Sequence, residues 1–283
     1  MADRRVDASN DQKPTDRFDL TGKNFLVTGG GRGIGLATCK GIMQLGGGVA
    51  VIDMLDNDKD FIELAKKYGT PHSFAQGDVS DQTSLESAFE KVVVGVGGQI
   101  HGCVTAAGIN INEKLVDATW EKSRKLLEVN VLGSFWTAKL VAKHLQDTSK
   151  PGSIVFVSSL SGQNLHIPVQ ACSIYNASKG AIKQMMGPLA VELGPSGIRV
   201  NCISPGCIGG PMVSELEKTA PMIPYFFRTA APVGRLGVPE DLNPMITYLL
   251  SDAGSFTTGS DMHVEGGITS GFTPAWHFRS EKE

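Results

Sequence analysis

One stretch decides the fold of this chain: Phe25-Leu26-Val27-Thr28-Gly29-Gly30-Gly31-Arg32-Gly33-Ile34-Gly35. Its apolar start predicts a buried strand, and Gly35–Leu45 predicts the helix that follows it. Apolar runs alternate with helix-length segments from there almost to the end of the chain. This alternation predicts a parallel sheet with right-handed crossovers, because each crossover helix covers one face of the sheet. We therefore expect an α/β fold, a doubly wound parallel seven-stranded sheet with helices on both faces.

The expected elements follow one another without a long linker or a repeat. The strands are Phe25–Thr28, Val49–Asp53, His72–Gly77, Gly102–Thr105, Ser153–Ser158, Arg199–Ile203 and Met262–Val264. The helices are Gly35–Leu45, Phe61–Tyr68, Ser84–Val94, Trp120–Leu145 with a break near Gly133, Tyr175–Leu193 and Glu240–Ser251. We expect one domain over residues 20–268, preceded by a disordered tail of residues 1–19 and followed by an extension of residues 269–283.

Composition excludes several classes of partner. A net charge of −3 gives no general attraction to nucleic acid or to an anionic membrane. No apolar run reaches the roughly 18 to 20 residues that span a bilayer, and the N-terminus lacks the apolar core of a secretory signal. The five cysteines form no C-x-x-C pair and have no histidine at zinc spacing, so we expect reduced thiols and no metal site. These features predict a cytoplasmic protein with a small-molecule ligand.

The glycine-rich turn predicts a dinucleotide-binding (Rossmann) site. Glycines after a strand allow a tight turn, let the backbone approach a pyrophosphate and let the next helix pack closely. The first amides of that helix then point at the phosphates. We expect the following residues to contact the cofactor here: Gly29, Gly31, Arg32, Gly33, Ile34 and Gly35.

Asp53 predicts which dinucleotide binds. It ends the second strand, where a carboxylate accepts both hydroxyls of the adenosine ribose and repels a 2′-phosphate. Arg32 pulls in the other direction, because a basic side chain in the loop would pair with that phosphate. We expect NAD rather than NADP, since an unpaired carboxylate against a phosphate costs more than a flexible arginine returns. An NADPH-dependent ketoreductase remains the alternative.

Tyr175 and Lys179 form the candidate proton-transfer pair. Their i, i+4 spacing puts the phenol and the ammonium on one helix face. A phenol with a pKa near 10 is a poor base at neutral pH, and a nearby cation stabilises its phenolate. The spacing alone is common on helix surfaces. Ser158 and Ser159, however, end a strand whose carboxyl end points into the ligand crevice of a parallel sheet.

In this order and spacing, the chain resembles the classical short-chain dehydrogenase/reductase family from about Leu20 to Gly267. The resemblance implies an adenine contact at Asp78 and Val79, a ribose contact at Ala107 and Gly108, and a nicotinamide contact at Pro205, Gly206 and Ile208. It implies that Asn130, Ser159, Tyr175 and Lys179 form the catalytic set, with Asn130 holding a proton-relay water. Asn130, Tyr175 and Lys179 are also expected to line the cofactor. Arg199–Gly206, Gly234–Asp241 and Glu265–Gly267 match further signatures of the family.

Two positions depart from the family pattern. Thr105 and Ala106 stand where the family has two asparagines whose amides tie down the central sheet, so we expect some stability to be lost there. Gly210 stands where a threonine is usual, which removes a bond to the nicotinamide carboxamide.

The implied chemistry is hydride transfer between the nicotinamide and a secondary alcohol or its ketone. Tyr175 would act as general acid and base, Lys179 would lower its pKa, and Ser159 would orient the substrate oxygen. The segments around Ser158–Gly162 and Ile167–Gln170 are similar to fungal-type polyol dehydrogenases and ketose reductases. Gln163, Asn164 and Gln170 are candidates for hydroxyl recognition in such a substrate.

Three further questions stay open at this stage. Met212 and the segment Met222–Phe227 suit a larger apolar ketone or alcohol, or they pack on the domain or on a partner subunit. A catalytically silent protein that only binds dinucleotide is the alternative from another class, although it would not need all four catalytic residues. The family usually associates through its long helices, here Trp120–Leu145 and Tyr175–Leu193, which implies a homodimer or a homotetramer.

Overall fold

The computed structural model describes residues 13–56, 58–163 and 170–271. Its seven strands form one parallel sheet in the order β3-β2-β1-β4-β5-β6-β7. The strands are β1 (Asn24–Thr28), β2 (Gly48–Asp53), β3 (His72–Gln76), β4 (Gly102–Thr105), β5 (Gly152–Val157), β6 (Ile198–Pro205) and β7 (Asp261–Val264). The predicted fold class is confirmed, and all seven strands lie within about two residues of their expected bounds.

Nine α-helices surround the sheet within the described ranges. They are α1 (Gly33–Gln44), α2 (Lys59–Tyr68), α3 (Gln82–Gly95), α4 (Trp120–Leu127), α5 (Gly133–Asp147), α6 (Ser173–Leu193), α7 (Pro211–Thr219), α8 (Met222–Ala230) and α9 (Asn243–Leu250). None of the described helices is both long and apolar enough to cross a membrane.

Two apolar layers hold the sheet between its helices. Buried residues of α3, α5 and α6 pack on one face, and those of α1, α2 and α9 pack on the other. Strand β1 shows the division: Leu26 faces the first layer, while Phe25 and Val27 face the second. Because successive side chains of a strand point to opposite faces, a strand buried on both sides must be apolar at every position.

The strand order places the ligand crevice. The chain winds from β1 outward to β3 and then crosses back to β4 on the other side of β1. Crossovers leave the carboxyl ends of β1 and β4 in opposite directions, which opens a crevice above them. The glycine-rich turn after β1 and the residues after β4, β5 and β6 all lie at this edge.

The structure departs from the sequence prediction in the long central helix. A π-helical turn, Glu128–Leu132, joins α4 to α5, so the interruption lies just before the break expected at Gly133. Such turns add a residue to the helical repeat and occur frequently at functional sites. Helices α7 and α8 were not predicted, because their prolines and mixed polarity obscure the helical period.

The end of the expected N-terminal tail is folded. Residues Pro14–Phe18 form a 3₁₀ helix, and Arg17 donates to the Asp252 carbonyl and the Ser255 hydroxyl, at 2.8 Å each. Because a single arginine makes these contacts with residues far away in the chain, no periodic pattern of the sequence predicts them. Residues 1–12, the candidate Asn164 and most of the 269–283 extension lie outside the described residues.

Candidate active site

The turn between β1 and α1 has the backbone that a pyrophosphate site requires. Gly29 and Gly33 have positive φ angles of 69° and 54°, which residues with a side chain rarely adopt. A Cβ on Gly35 would overlap the carbonyl oxygen of Gly29, so α1 packs directly on the turn. Arg32, the exposed residue before α1, makes no side-chain cap, which leaves the first amides of the helix available to an anion. These features fit a dinucleotide.

Asp53 is fixed beside this turn. Its carboxylate is 8% exposed, and it accepts hydrogen bonds from the Gly31 amide at 2.9 Å and the Leu55 amide at 3.0 Å. Each oxygen accepts one of these bonds, so each keeps a lone pair for a ribose hydroxyl. The three residues that follow, Met54 to Asp56, are exposed and carry no positive charge.

Asp78 and Val79, which the sequence predicts to contact the adenine, lie in the loop after β3. The Asp78 carboxylate accepts from Ser80 and pairs with Lys125 at 3.1 Å. Burial raises the pKa of Asp78, but the hydrogen bonds from Ser80 and Lys125 outweigh this and lower it overall. Val79 packs against Gly133, where a Cβ would lie 2.8 Å from its methyl group. The predicted adenine contact therefore sits in a loop braced by α4 and α5.

The turn after β4 shows what the unusual Thr105 and Ala106 change. The Thr105 hydroxyl is buried and has no hydrogen-bond partner within the described residues. An unpaired buried hydroxyl costs about 1–3 kcal/mol, in line with the expected loss of stability here. The backbone path is kept, since the Ala106 amide donates to the Thr28 carbonyl at 3.1 Å. A Cβ on Gly29 would lie 2.8 Å from the Cα of Ala107, so this turn and the glycine turn are in close contact.

Asn130 lies in the π-helical turn and is fully buried. Its Nδ2 donates to the Ile109 carbonyl and to the Ser178 hydroxyl, at 3.0 Å each, and its Oδ1 accepts from the Ile109 amide at 2.9 Å. Both amide hydrogens are therefore used within the protein. The side chain ties the residues after Gly108 to α6, a role that the sequence did not reveal.

The two serines at the end of β5 have different environments. Ser158 is buried and donates to the Lys179 carbonyl at 3.0 Å, so it anchors α6. Ser159 caps a 3₁₀ turn, Leu160–Gly162, and its hydroxyl also forms a hydrogen bond with Tyr175. Of the two hydroxyls, that of Ser159 interacts with the phenol, whereas that of Ser158 bonds to the Lys179 carbonyl.

Tyr175 and Lys179 lie together in the first turns of α6. The Lys179 ammonium is 5.7 Å from the centre of the Tyr175 ring and donates to the Val157 carbonyl at 2.9 Å. Burial raises the pKa of Tyr175 to about 12, against a smaller lowering by Ser159. Burial also lowers the pKa of Lys179 to about 8.

These values change one expectation. Lys179 was expected to lower the pKa of Tyr175, but in the chain alone desolvation dominates and leaves the phenol a weaker acid than in water. The spacing of Tyr175 and Lys179 predicts that they are close, but it does not predict how far burial raises the pKa of Tyr175, because burial depends on the whole fold. In the chain alone, burial thus keeps the phenol protonated near neutral pH.

Lys179→Met is expected to stabilise the protein at neutral pH. The lysine pKa is about 8 when folded and 10.5 when unfolded, so the unfolded chain binds more protons between these values. Stability due to this group is thus lowest below about pH 8 and rises toward pH 10.5. After subtracting the bond to Val157, removal should gain about 2 kcal/mol at pH 7.

Urea unfolding of the unliganded wild type and variant at pH 7 and pH 10 measures this effect. The gain should shrink at the higher pH, and Lys91→Met, at an exposed site on α3, should show no such gain. A variant less stable than wild type at pH 7 would contradict the assignment of a buried ammonium whose pKa is lowered by desolvation.

The end of β6 and the turn after it carry the residues predicted to contact the nicotinamide: Pro205, Gly206 and Ile208. A Cβ on Gly206 would lie 2.7 Å from the Cα of Glu265, so this turn packs on the end of β7. Ile208 forms an isolated bridge with Gly237, which holds the segment after Pro205 in place. Gly210 has a φ of 150°, so a threonine here would be strained and the departure from the family pattern follows the backbone.

Helices α7 and α8 divide the apolar segment into two parts. Ile223, Phe227 and Leu216 pack with Leu160 and Ile268 in a small apolar cluster beside the Ser159 turn. Met212, Met222 and Tyr225 are exposed by 44%, 61% and 58%. The first group packs on the domain, while the second remains available to a substrate or a partner.

Gln163 and Gln170, two of the residues expected to bind the substrate, form hydrogen bonds with other segments of the chain. Gln163 bonds to Asp261, His263 and Lys183, so its amide has protein partners on both sides. Gln170 Nε2 donates to the side-chain Oδ1 of Asn112 at 3.0 Å and bridges the loop after β4 to the start of α6. The sequence carried no signal for these long-range pairs.

Comparison with known proteins decides the family. Residues 29–269 match the family model described as enoyl-(acyl carrier protein) reductase. The chain belongs to the short-chain dehydrogenase/reductase family. As a member of this family it is an NAD(P)-dependent oxidoreductase that acts on CH–OH groups of alcohols or on the corresponding ketones.

Relatives of this dehydrogenase/reductase differ in substrate and in cofactor. It is 32% identical to galactitol 2-dehydrogenase of Rhizobium johnstonii, over 89% of this chain and 97% of that protein. It is 35% identical to an NADP-dependent (R)-specific alcohol dehydrogenase of Lentilactobacillus kefiri, over 90% and 99%. The structure of an NADPH-dependent 3-quinuclidinone reductase from Rhodotorula rubra superposes with a TM-score of 0.85 at 28% identity, over 94% and 98%. Family membership alone therefore does not select NAD or NADP.

Proposed function

We propose that this chain, with residues 20–268 as its catalytic domain, is an NAD(H)-dependent dehydrogenase of secondary alcohols and ketones. Tyr175 is the general acid and base. The observation that carries this proposal is the meeting of Ser159, Tyr175 and Lys179 at the carboxyl edge of the sheet, beside the turns after β1 and β4. When bound, the nicotinamide supplies or accepts the hydride.

Tyr175 moves the proton that accompanies the hydride. In oxidation its phenolate takes the proton of the substrate hydroxyl, and in reduction its phenol returns a proton to the developing alkoxide. The Ser159 hydroxyl, bonded to Tyr175, orients the same substrate oxygen. Lys179 holds positive charge next to the phenolate and would bond the nicotinamide ribose. A Cβ on Gly108, in the turn after β4, would lie 3.7 Å from its ammonium.

Asn130 serves the relay through its backbone. Its side-chain hydrogens are spent on Ile109 and Ser178, so a relay water would bind at its carbonyl oxygen in the π-helical turn. That oxygen also accepts a hydrogen bond from the Ser134 hydroxyl at 2.8 Å.

Asp53 supports NAD over NADP. Its carboxylate is held by two backbone amides and cannot swing away from a 2′-phosphate without losing both bonds. The exposed Asp56 adds a second negative charge nearby in the chain, against the single positive charge of Arg32. Like charges brought together at a binding site cost several kcal/mol.

Asp53→Asn is expected to weaken this discrimination. The amide keeps the shape and an acceptor oxygen but removes the charge, so the preference for NADH over NADPH should fall about tenfold or more. Fluorescence titration with each dinucleotide measures both Kd values. Asp56→Asn, at the exposed neighbouring site, is the matched control and should change the ratio less than threefold. A wild type that binds NADPH as tightly as NADH would overturn the NAD assignment.

A polyol or ketose is the second candidate substrate. The amides of Gln170 and Asn112 bond across the approach between the loop after β4 and α6. The buried Oδ1 of Asn110 has no hydrogen-bond partner within the described residues, so it can accept a hydrogen bond from a substrate hydroxyl. The similarity to galactitol 2-dehydrogenase supports this substrate class.

We also propose a homodimer or homotetramer that associates through α4–α5 and α6. Leu132 and Phe135 on the outer face of this helical unit are 50% and 40% exposed, and Trp120 is 78% exposed. Large side chains of this kind are typical of an interface.

Phe135→Glu is therefore expected to reduce the oligomeric state, because it places a charge in an apolar contact. Sedimentation velocity at matched concentrations measures the change. Val94→Glu, on the exposed side of α3, is the control and should sediment like the wild type. A wild type that sediments as a monomer would contradict the proposal.

A further inference from the structure

Asp261, the first residue of β7, joins three segments of the chain. One carboxylate oxygen accepts from the Ser204 hydroxyl at 2.6 Å. The other accepts from Gln163 Nε2 at 2.8 Å and pairs with Lys183 Nζ at 3.3 Å. Gln163 and Lys183 also bond to each other, so the three side chains close a triangle. The Asp261 side chain is only 8% exposed.

Each partner of Asp261 adjoins a different part of the proposed machinery. Ser204 immediately precedes the Pro205–Gly206 turn on the nicotinamide side. Gln163 ends the short 3₁₀ turn that Ser159 caps. Lys183 lies one helical turn beyond Lys179 on the same side of α6.

The hydrogen bonds around Asp261 favour its ionised form. Burial raises the pKa of Asp261, but the hydrogen bonds of Ser204, Gln163 and Lys183 outweigh it and lower the pKa overall. His263 Nε2 lies 3.3 Å from the same carboxylate. An ionised carboxylate that accepts several bonds fixes its donors more firmly than a neutral group would, because charge-assisted bonds are the stronger ones.

We propose that Asp261 is a positioning residue, which holds Ser159, the Tyr175–Lys179 face of α6 and the Pro205–Gly206 turn in one fixed arrangement. It touches neither substrate nor dinucleotide in this account. The reacting groups stand on three separate segments, and a misplacement of about 1 Å in such a site can cost about 10²-fold in rate. Catalytic consequences of the proposal rest on the proposed function, whereas the junction itself does not.

Asp261→Asn tests the junction because it keeps the shape and removes the charge. Hydrogen exchange followed by mass spectrometry on the unliganded protein should show about tenfold faster exchange in residues 158–163 and 204–208. Gln163→Leu keeps the Asp261–Lys183 pair and should accelerate only residues 158–163. Asp252→Asn is the control, since it breaks an exposed ion pair with Lys23 at the opposite edge of the sheet.

Turnover provides the second measurement. Asp261→Asn should lower kcat about tenfold or more while the Kd for NADH changes less than threefold, and the control should leave both unchanged. Unaltered exchange in both variants, or equal acceleration by Asp252→Asn, would overturn the junction. Faster exchange with kcat within twofold of wild type would overturn the positioning role. If the wild type turns over no alcohol or ketone, the proposed function fails, and exchange still decides whether Asp261 joins the segments.

Discussion

Replacing Tyr175 by phenylalanine is expected to lower kcat about 10³-fold or more. The change removes only the phenolic oxygen, which is the group that exchanges a proton with the substrate and bonds to Ser159. General acid–base catalysis contributes about 10²–10⁴-fold, and the phenylalanine ring that replaces the phenol carries no group that can exchange a proton. Cys172 and Cys207, the nearby thiols, have pKa values raised by burial to about 11 and about 12.

Binding measurements separate this loss from misfolding. The Kd for NADH should remain within about threefold of wild type, because the ring and its packing are kept. Tyr68→Phe, at the end of α2, is the matched control and should retain activity within twofold. A Tyr175→Phe enzyme within tenfold of wild-type kcat would show that another group transfers the proton.

Lys179→Met is expected to give the second large effect, a fall in kcat of about 10²-fold. In the chain alone burial holds the pKa of Tyr175 at about 12, so the phenolate depends on nearby positive charge. Removing the ammonium should therefore shift the ascending limb of the kcat profile for alcohol oxidation, along which the phenolate forms, to higher pH by about one unit or more. Because the two groups titrate as a pair, the profile reports the apparent pKa of that pair.

Initial rates between pH 6 and pH 10 at saturating dinucleotide measure the shift. The control Lys91→Met should leave the profile unchanged. A Lys179→Met enzyme whose ascending limb coincides with that of wild type would contradict the role of the ammonium. Together with the expected gain in stability at pH 7, the variant would show that this buried charge weakens the fold and serves the reaction.

The sequence predicts the central strands well because they are buried on both faces. Strands β1 and β2 are apolar at almost every position, and the glycine turn between β1 and α1 requires backbone that few other residues can adopt. Local chemistry therefore determines both elements. The same holds for Tyr175 and Lys179, whose spacing on one helix fixes their proximity.

Features that depend on distant segments escaped the sequence. The junction at Asp261 brings together residues up to 98 positions apart, and nothing in the local pattern around Asp261 indicates its partners. The bonds of the Asn130 side chain to Ile109 and Ser178 also join segments that are distant in the sequence, and the local pattern does not reveal them. The raised pKa of Tyr175 likewise depends on burial, which is a property of the assembled fold.

Formation of NADH from NAD⁺ with a panel of polyols and lipophilic secondary alcohols tests the central claim most directly. We expect the purified wild type to reduce NAD⁺ with at least one secondary alcohol, faster than it reduces NADP⁺, and Tyr175→Phe to lose this activity. Turnover of a polyol would favour the second candidate substrate. A protein that binds NADH but converts no alcohol on the panel, and reduces none of the corresponding ketones, would contradict the account and favour a catalytically silent dinucleotide-binding protein.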